Sequence, residues 1–313
     1  VSAQNKDTVV VVTGPTASGK TRIAVQLARE LGDTEIISAD SRQVFRGMDI
    51  GTGKDRGEYG EVPCHLIDIL PPGDRYSAYC FQRDALRSIR SLRGKGAVPL
   101  ICGGTGYYIY SLLSGRTFPD IEDIGRAEKR GDVPLAALCR ELYERAPTLY
   151  TQTDLHSRRR VLRALRLADR GITEHSRRRH PVPTALLFRT VVDRPVLRGR
   201  IRSRLEERLQ AGLIEEIKEL IGRYGYDTIE RYGLEYRYGS RYLRGEMTFD
   251  DMREKLTAAI GRFAKRQETY LRYMAKNGLE FIDIRPETVS IPHMALLCRR
   301  FFGYSSNMAG EDS

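Results

Sequence analysis

The chain is 313 residues long, with 52 Lys+Arg against 41 Asp+Glu, a net charge of +11 and a pI near 9.5. Hydrophobic residues make up 41% and charged ones 30%, which excludes disorder along the whole length, and no run approaches the ~20 apolar residues of a membrane helix. Five scattered cysteines without CxxC spacing argue against a disulfide framework or structural zinc, and the polar start Val1–Asp7 argues against a signal peptide. A cytosolic protein of about two domains is expected.

The basic excess is nearly all arginine, 43 residues against nine lysines. Arginine's planar fork suits phosphates and stacks on bases. A nucleic-acid partner and a GC-rich genome explain the count equally well, so its placement along the chain must decide.

In chain order, Thr8–Thr13 (TVVVVT) is a continuous β-branched run, as in a strand buried on both faces. A glycine-containing turn leads into a helix over Thr21–Leu31, with Ile23, Leu27 and Leu31 at helical spacing. Glu35–Ser38 is a second strand, Ser77–Leu92 an amphipathic helix, and Val98–Cys102 a third buried strand. The last runs into Gly103-Gly104-Thr105-Gly106 and a helix near Tyr107–Leu113. This order predicts an α/β fold: a P-loop-type core of parallel strands with helices on both faces.

From about residue 120 to 187 the pattern is helical with basic loops, which reads as an insertion domain. Ala185–Val192 is another strand, and Asp193-Arg194-Pro195 opens a long helix over about Val196–Gly222. A second long helix spans about Phe249–Tyr273, and Leu279–Ile284 is a last strand. The expected division is a discontinuous core (1–119 and 188–295), a helical insertion (120–187) and a polar C-terminal tail (296–313).

Gly14-Pro15-Thr16-Ala17-Ser18-Gly19-Lys20-Thr21 fits GxxxxGK[ST] between a strand and a helix. Successive backbone N–H groups and the helix N-terminus then cradle phosphate oxygens. Lys20 meets the terminal phosphate, and the Thr21 hydroxyl is the expected Mg²⁺ ligand. A γ-phosphate-transferring enzyme needs a further carboxylate for Mg²⁺. Yet the strand Val98–Cys102 ends in glycines and Thr105, and Asp68 lies in an unusual place. Asp40 follows the second strand, where open parallel sheets carry their chemistry. It is a general base, a Mg²⁺ ligand or the cap of a turn.

Together GPTASGKT, SADSRQVFRGMDIGT, HLIDILPP, GGTG and KRQETYLR resemble the tRNA dimethylallyltransferase family over about residues 8–285. The resemblance implies transfer of a dimethylallyl group from dimethylallyl diphosphate to N6 of the adenosine immediately 3′ of the anticodon. The tRNAs are those reading codons that begin with U. The P-loop residues Gly14, Thr16, Ala17, Ser18, Gly19, Lys20 and Thr21 then hold an allylic diphosphate, with Mg²⁺ as cofactor. No γ-phosphate moves, which removes the puzzle of the missing carboxylate. The alternative is a P-loop small-molecule or nucleotide kinase.

By the same resemblance Asp40 is the general base, Thr105 contacts the reacting site, and an arginine after Pro195 reaches the diphosphate. Arg204 is favoured for that role over Arg200, four residues away on the same face. Asp40, Ser41, Arg42 and Gln43 flank the target base. Arg126, Arg159, Arg163, Lys265, Arg266, Gln267 and Arg272 contact the tRNA anticodon stem-loop. In the insertion, Arg159, Arg163 and Arg166 follow helical spacing as a basic stripe, and Arg177-Arg178-Arg179 with His180 form a second basic cluster. Gly233-Leu234-Glu235-Tyr236-Arg237-Tyr238 departs from the family pattern, so no contact carries over there. A monomer without membrane attachment is expected.

Overall fold

The TVVVVT run forms β1 (Thr8–Thr13), buried at every position. It lies inside a sheet of order β3-β2-β4-β1-β5-β6 in which every pairing is parallel. The other strands are β2 (Thr34–Ser38), β3 (Cys64–His65), β4 (Val98–Gly103), β5 (Thr184–Thr190) and β6 (Phe281–Ile284). This computed structural model describes residues 8–54, 56–115, 132–173 and 182–303.

The helices in order are α1 (Lys20–Leu31), α2 (Arg56–Tyr59), α3 (Ala78–Gly94), α4 (Gly106–Leu113), α5 (Leu135–Arg145), α6 (Pro147–Gln152) and α7 (Arg158–Asp169). After β5 come α8 (Arg194–Gln210), α9 (Leu213–Tyr224), α10 (Tyr226–Ile229), α11 (Leu234–Leu243), α12 (Phe249–Lys276) and α13 (Ile291–Phe301).

Alternation along β1 divides the core. Val9 and Val11 join the cluster under α3, α4 and the end of α12, while Val10 and Val12 join the cluster under α1 and α13. A third cluster packs α8, α9, α11 and the first half of α12 around Val44, Phe45 and Met48. Helix α12 starts on a real cap, the Thr248 side chain accepting from the Asp251 N–H. Its buried stripe then changes partners: Met252, Leu256 and Ile260 face the helical cluster, whereas Leu271 and Met274 face the sheet cluster. One helix thus spans both clusters with its middle turn at the strand ends.

Two compact units are distinguished, Val1–Ser114 with Val182–Ser313, and Gly115–Pro181. The insertion therefore begins and ends about five residues before the boundaries expected at 120 and 187. Its described part is a small helical bundle closed by Leu138, Leu142, Leu149, Val161 and Leu165. Two further expectations change. Residues 296–303 are not tail: 296–301 complete α13, and Phe302 follows as its cap, buried in the core with Met294, Ala295 and Cys298. The long helix Val196–Gly222 is two helices, because Gly212 takes a left-handed φ of 97° and starts α9 afresh. No helix among the described residues is long and apolar enough to cross a membrane.

Candidate active site

Parallel pairing brings three loops to one edge. Thr13 is in register with Gly103, and Ser38 with Cys102, so the segments after β1, β2 and β4 emerge side by side. The backbones nearly touch: Ala39 N–H donates to Cys102 O at 2.7 Å and Thr105 N–H to Ala39 O at 3.2 Å. A Cβ on Gly103 would lie 2.3 Å from the Ala39 oxygen, so glycine is required there.

The loop after β1 is fixed from below. The Thr190 hydroxyl donates to Thr13 O at 3.3 Å and lies 2.6 Å from the Ser18 hydroxyl. A Cβ on Gly14 would meet the same Thr190 oxygen at 1.8 Å. Ala17, with φ of 59°, and Gly19, with φ of 81°, take left-handed conformations that turn the chain into α1. No side chain caps α1 at Gly19, which leaves its first-turn N–H groups to an anion. The Thr16 N–H is an exception among the loop amides, donating to Gln267 Oε1 at 2.8 Å.

Asp40 and Thr105 meet across the loop edge. Asp40 Oδ1 accepts from the N–H of Arg42 at 2.8 Å and of Gln43 at 3.4 Å, so Asp40 does cap the following turn. One carboxylate oxygen serves that purpose, and the residue still lines the cavity beside Lys20. Thr105 occupies the cap position of α4 without capping it with its side chain. Its hydroxyl oxygen accepts from Ser41 N–H at 3.1 Å, which leaves the hydroxyl proton available to a bound molecule.

Lys20, Thr21, Asp40, Ser41, Arg42, Gln43, Cys102, Thr105, Arg204 and Arg208 all border one cavity of about 350 Å³. Lys20 Nζ folds back to donate to Pro15 O at 3.3 Å. Burial lowers the Lys20 pKa, and the Arg204 and Arg208 charges lower it further, against Cys102 and Asp40. Burial also pushes the Cys102 thiol up to about 12, so it stays a neutral wall. Arg204 is in this cation group, whereas the Arg200 guanidinium pairs with Glu287 at 2.6 Å.

Arginines and an exposed aromatic ring complete the lining. Arg231, Arg237, Phe263 and Arg266 border the cavity, and the Arg266 guanidinium lies over the Phe263 ring at 5.8 Å. Lys265 and Arg272 are exposed on α12. Gln267 is engaged inward: besides accepting from Thr16 it donates to Gly104 O at 2.8 Å, so its amide ties α12 to two of the three loops. Gln43 is likewise buried, its amide held between Ser38 and Gly53.

The stretch after Gln43 is held by a carboxylate from α9. Glu216 accepts from the N–H groups of Asp49 at 2.8 Å, Ile50 at 2.7 Å and Gly51 at 3.0 Å, and from the Tyr236 hydroxyl at 2.8 Å. Glu216→Ala removes the acceptor of three backbone amides and is expected to destabilise the protein by about 2 kcal/mol. Glu216→Gln, which keeps one oxygen, should lose less; chemical denaturation of both variants measures this. Nearby, the fully buried Lys54 ammonium pairs with Asp49 at 2.6 Å and with Asp68, and Arg56 takes the other Asp68 oxygen. Asp68 is thus consumed as a counter-ion.

Three of these residues escaped sequence reasoning. Arg208 repeats the four-residue spacing of Arg200 and Arg204, a signal that was present. In the sequence Glu216 looks like any solvated acid within the long helix expected over Val196–Gly222, and Lys54 like a solvated loop lysine. Among the described residues no group of three or more His, Cys, Asp or Glu side chains is set to hold a metal ion. Thr21, half-buried on the cavity wall, does fit Mg²⁺, which takes few protein oxygens and completes its shell from phosphate and water.

Within the insertion, Arg159 and Arg163 are exposed on α7, while Arg166 is half-buried. Among the described residues neither Arg159 nor Arg163 has an ion-pair partner, unlike Arg160, which pairs with Asp154 at 2.7 Å. Arg126 and the cluster Arg177–His180 lie outside the described residues.

The model of the IPP transferase family matches residues 43–274, and that described as isopentenyl transferase matches residues 7–59. The tRNA dimethylallyltransferase 2 of Trichlorobacter lovleyi is 46% identical over 277 residues, covering 87% of this chain and 90% of that protein. The tRNA dimethylallyltransferase 1 of Syntrophus aciditrophicus is 46% identical over 286 residues, covering 88% and 93%. Among solved structures, the tRNA isopentenylpyrophosphate transferase of Bacillus halodurans superposes with a TM-score of 0.68 at 30% identity, over 95% of this chain and 96% of that one. A eukaryotic dimethylallyltransferase solved acting on tRNA shares the fold, with a TM-score of 0.78 at 20% identity over 97% and 81%.

Proposed function

The chain belongs to the tRNA dimethylallyltransferase family, and from that premise we propose the full reaction it carries out. A dimethylallyl group passes from dimethylallyl diphosphate to N6 of the adenosine immediately 3′ of the anticodon, in tRNAs reading codons that begin with U. One observation carries the reading: a carboxylate, a hydroxyl and a cation-lined phosphate loop border a single cavity of about 350 Å³.

The exocyclic amine of adenine is a poor nucleophile, because its lone pair is delocalised into the ring. In the proposed step the amine nitrogen bonds to the allylic carbon while the carbon–oxygen bond to diphosphate breaks. The proton shed by nitrogen passes to Asp40, and the electron pair of the broken bond leaves with the diphosphate. Lys20, Arg204 and the first-turn amides of α1 meet the charge that develops on the leaving group. Thr105 donates its hydroxyl proton within the same cavity, orienting the reactants. Thr21 would hold Mg²⁺, which would supply positive charge against the leaving group when bound.

An adenosine in a stacked loop must leave the stack to reach such a cavity. Arg42, Arg231, Arg237 and Arg266 suit the flanking phosphates, and Phe263 offers an apolar face. Arg159 and Arg163 on the insertion, with Lys265 and Arg272 on α12, are assigned to the anticodon stem-loop, and the protein acts as a cytoplasmic monomer. If the arginines grip phosphates, Arg159→Ala with Arg163→Ala weakens tRNA binding across sequences. The slope of log affinity against log salt then falls by roughly 1.5, as measured by filter binding. The site of modification is tested by digesting reacted tRNA and mapping N6-dimethylallyladenosine. A product at any other nucleotide would refute the assignment.

A further inference from the structure

Arg208 lies one turn beyond Arg204 on α8, and the two guanidinium groups converge on Gly53. The position a Cβ would take on Gly53 is 1.9 Å from Arg208 Nη2 and 2.6 Å from Arg204 Nη2. Lys20 of the phosphate loop lies on the wall of the same cavity as both arginines. Three cations are therefore gathered beside the mouth of the phosphate loop, and all three border the same cavity.

Arg208 is held in place with little freedom. Its Nη1 donates to Glu235 Oε1 at 3.1 Å and to Gly51 O at 3.4 Å, and the side chains of the pair are only 13% and 17% exposed. Gly51 is itself fixed, since its N–H donates to Glu216 and a Cβ there would stand 2.5 Å from the Tyr236 ring. Gathering like charges in a half-buried site is unfavourable. An anion bearing several negative charges turns that repulsion into charge-assisted hydrogen bonds. A guanidinium has donors enough to keep Glu235 and Gly51 and still present N–H groups to phosphate oxygens.

We propose that Arg208 is a third diphosphate-binding cation of this site, with Glu235 as the residue that positions it. The proposal rests on the prenyl-transfer reading and extends it to a side chain outside the phosphate-loop motif. Glu235 and Gly51 orient the fork, Arg204 and Lys20 share the charge, and the ligand is the diphosphate group of the donor and of the released product.

The test is calorimetric titration of the full chain with inorganic diphosphate and, separately, with dimethylallyl diphosphate. Wild type binds both. Arg208→Met should weaken both roughly tenfold to a hundredfold, the loss of a hydrogen-bonded charge, and raise the donor KM while the tRNA KM stays put; it also leaves the Glu235 carboxylate unpaired, so the melting temperature falls. Arg208→Lys keeps a charge for Glu235 but loses the fork, and should recover part of the affinity. If Arg208→Met fails to fold, Arg208→Lys decides: a severalfold loss of diphosphate affinity supports the proposal. Wild-type diphosphate affinity in the variant that folds overturns it. If wild type itself binds neither compound, the prenyl-transfer reading falls, and the proposal with it.

Discussion

Asp40→Asn is expected to lower kcat by roughly 10²–10⁴-fold, the usual range for removing a general base, while tRNA affinity is unchanged. The choice of asparagine follows from the two tasks of this carboxylate. Oδ1 accepts from the N–H groups of Arg42 and Gln43 at 2.8 and 3.4 Å, and an amide oxygen accepts from them equally well. The turn carrying Ser41 to Gln43 therefore survives the substitution. What is lost is the ability to take the proton shed by the adenine amine. Asp40→Ala removes both, so it should match Asp40→Asn in turnover and in addition lose about 1 kcal/mol of stability, by analogy with helix caps. Single-turnover kinetics with saturating tRNA, alongside thermal melts, separates the two effects. Turnover near wild type in Asp40→Asn would mean that Asp40 is a cap and nothing more.

Lys20→Ala should lower kcat/KM for the donor by roughly 10²–10³-fold, the range seen when one preorganised charge donor is removed. The surroundings of Lys20 already make its charge costly: burial and the neighbouring Arg204 and Arg208 lower its pKa. A bound diphosphate opposes those effects and raises the pKa again. The sign of the pH dependence follows. Diphosphate affinity is full below the lowered Lys20 pKa. It falls as pH climbs through that value, because binding must then take up a proton. Titrations of inorganic diphosphate against pH should show this fall below the ordinary lysine value in wild type and a flatter profile in Lys20→Ala. An unchanged donor kcat/KM in the variant would remove Lys20 from the site.

Most of what places the chemistry was legible in the residues. A β-branched run as unbroken as Thr8–Thr13 reads as a buried strand, and the loops at Gly14, Asp40 and Gly104 follow strands whose parallel direction is implied by the strand–helix alternation. The structure adds what depends on distant partners. Glu216 becomes a latch because the chain between Met48 and Gly53 turns its amides toward α9, a pairing 165 or more residues apart in sequence. The break at Gly212 was hidden because apolar positions continue with helical spacing on both sides of it, through Leu205 and Leu209 and again through Leu213 and Ile217. Residues 296–303 read as tail because the end of the chain is polar, yet Cys298 and Phe302 are buried under the sheet. The Arg200 salt bridge to Glu287 is a further contact that spacing along one helix cannot reveal.

The central claim is that the phosphate loop holds the leaving group of an alkylation, with no γ-phosphate in play. One measurement addresses it: the purified chain, unmodified tRNA and Mg²⁺ are incubated in parallel with dimethylallyl diphosphate labelled in its carbon chain and with ATP labelled at the γ-phosphate. Label entering tRNA from the first and none transferred from the second is the predicted result. Transfer of γ-phosphate with no carbon label in tRNA would contradict it.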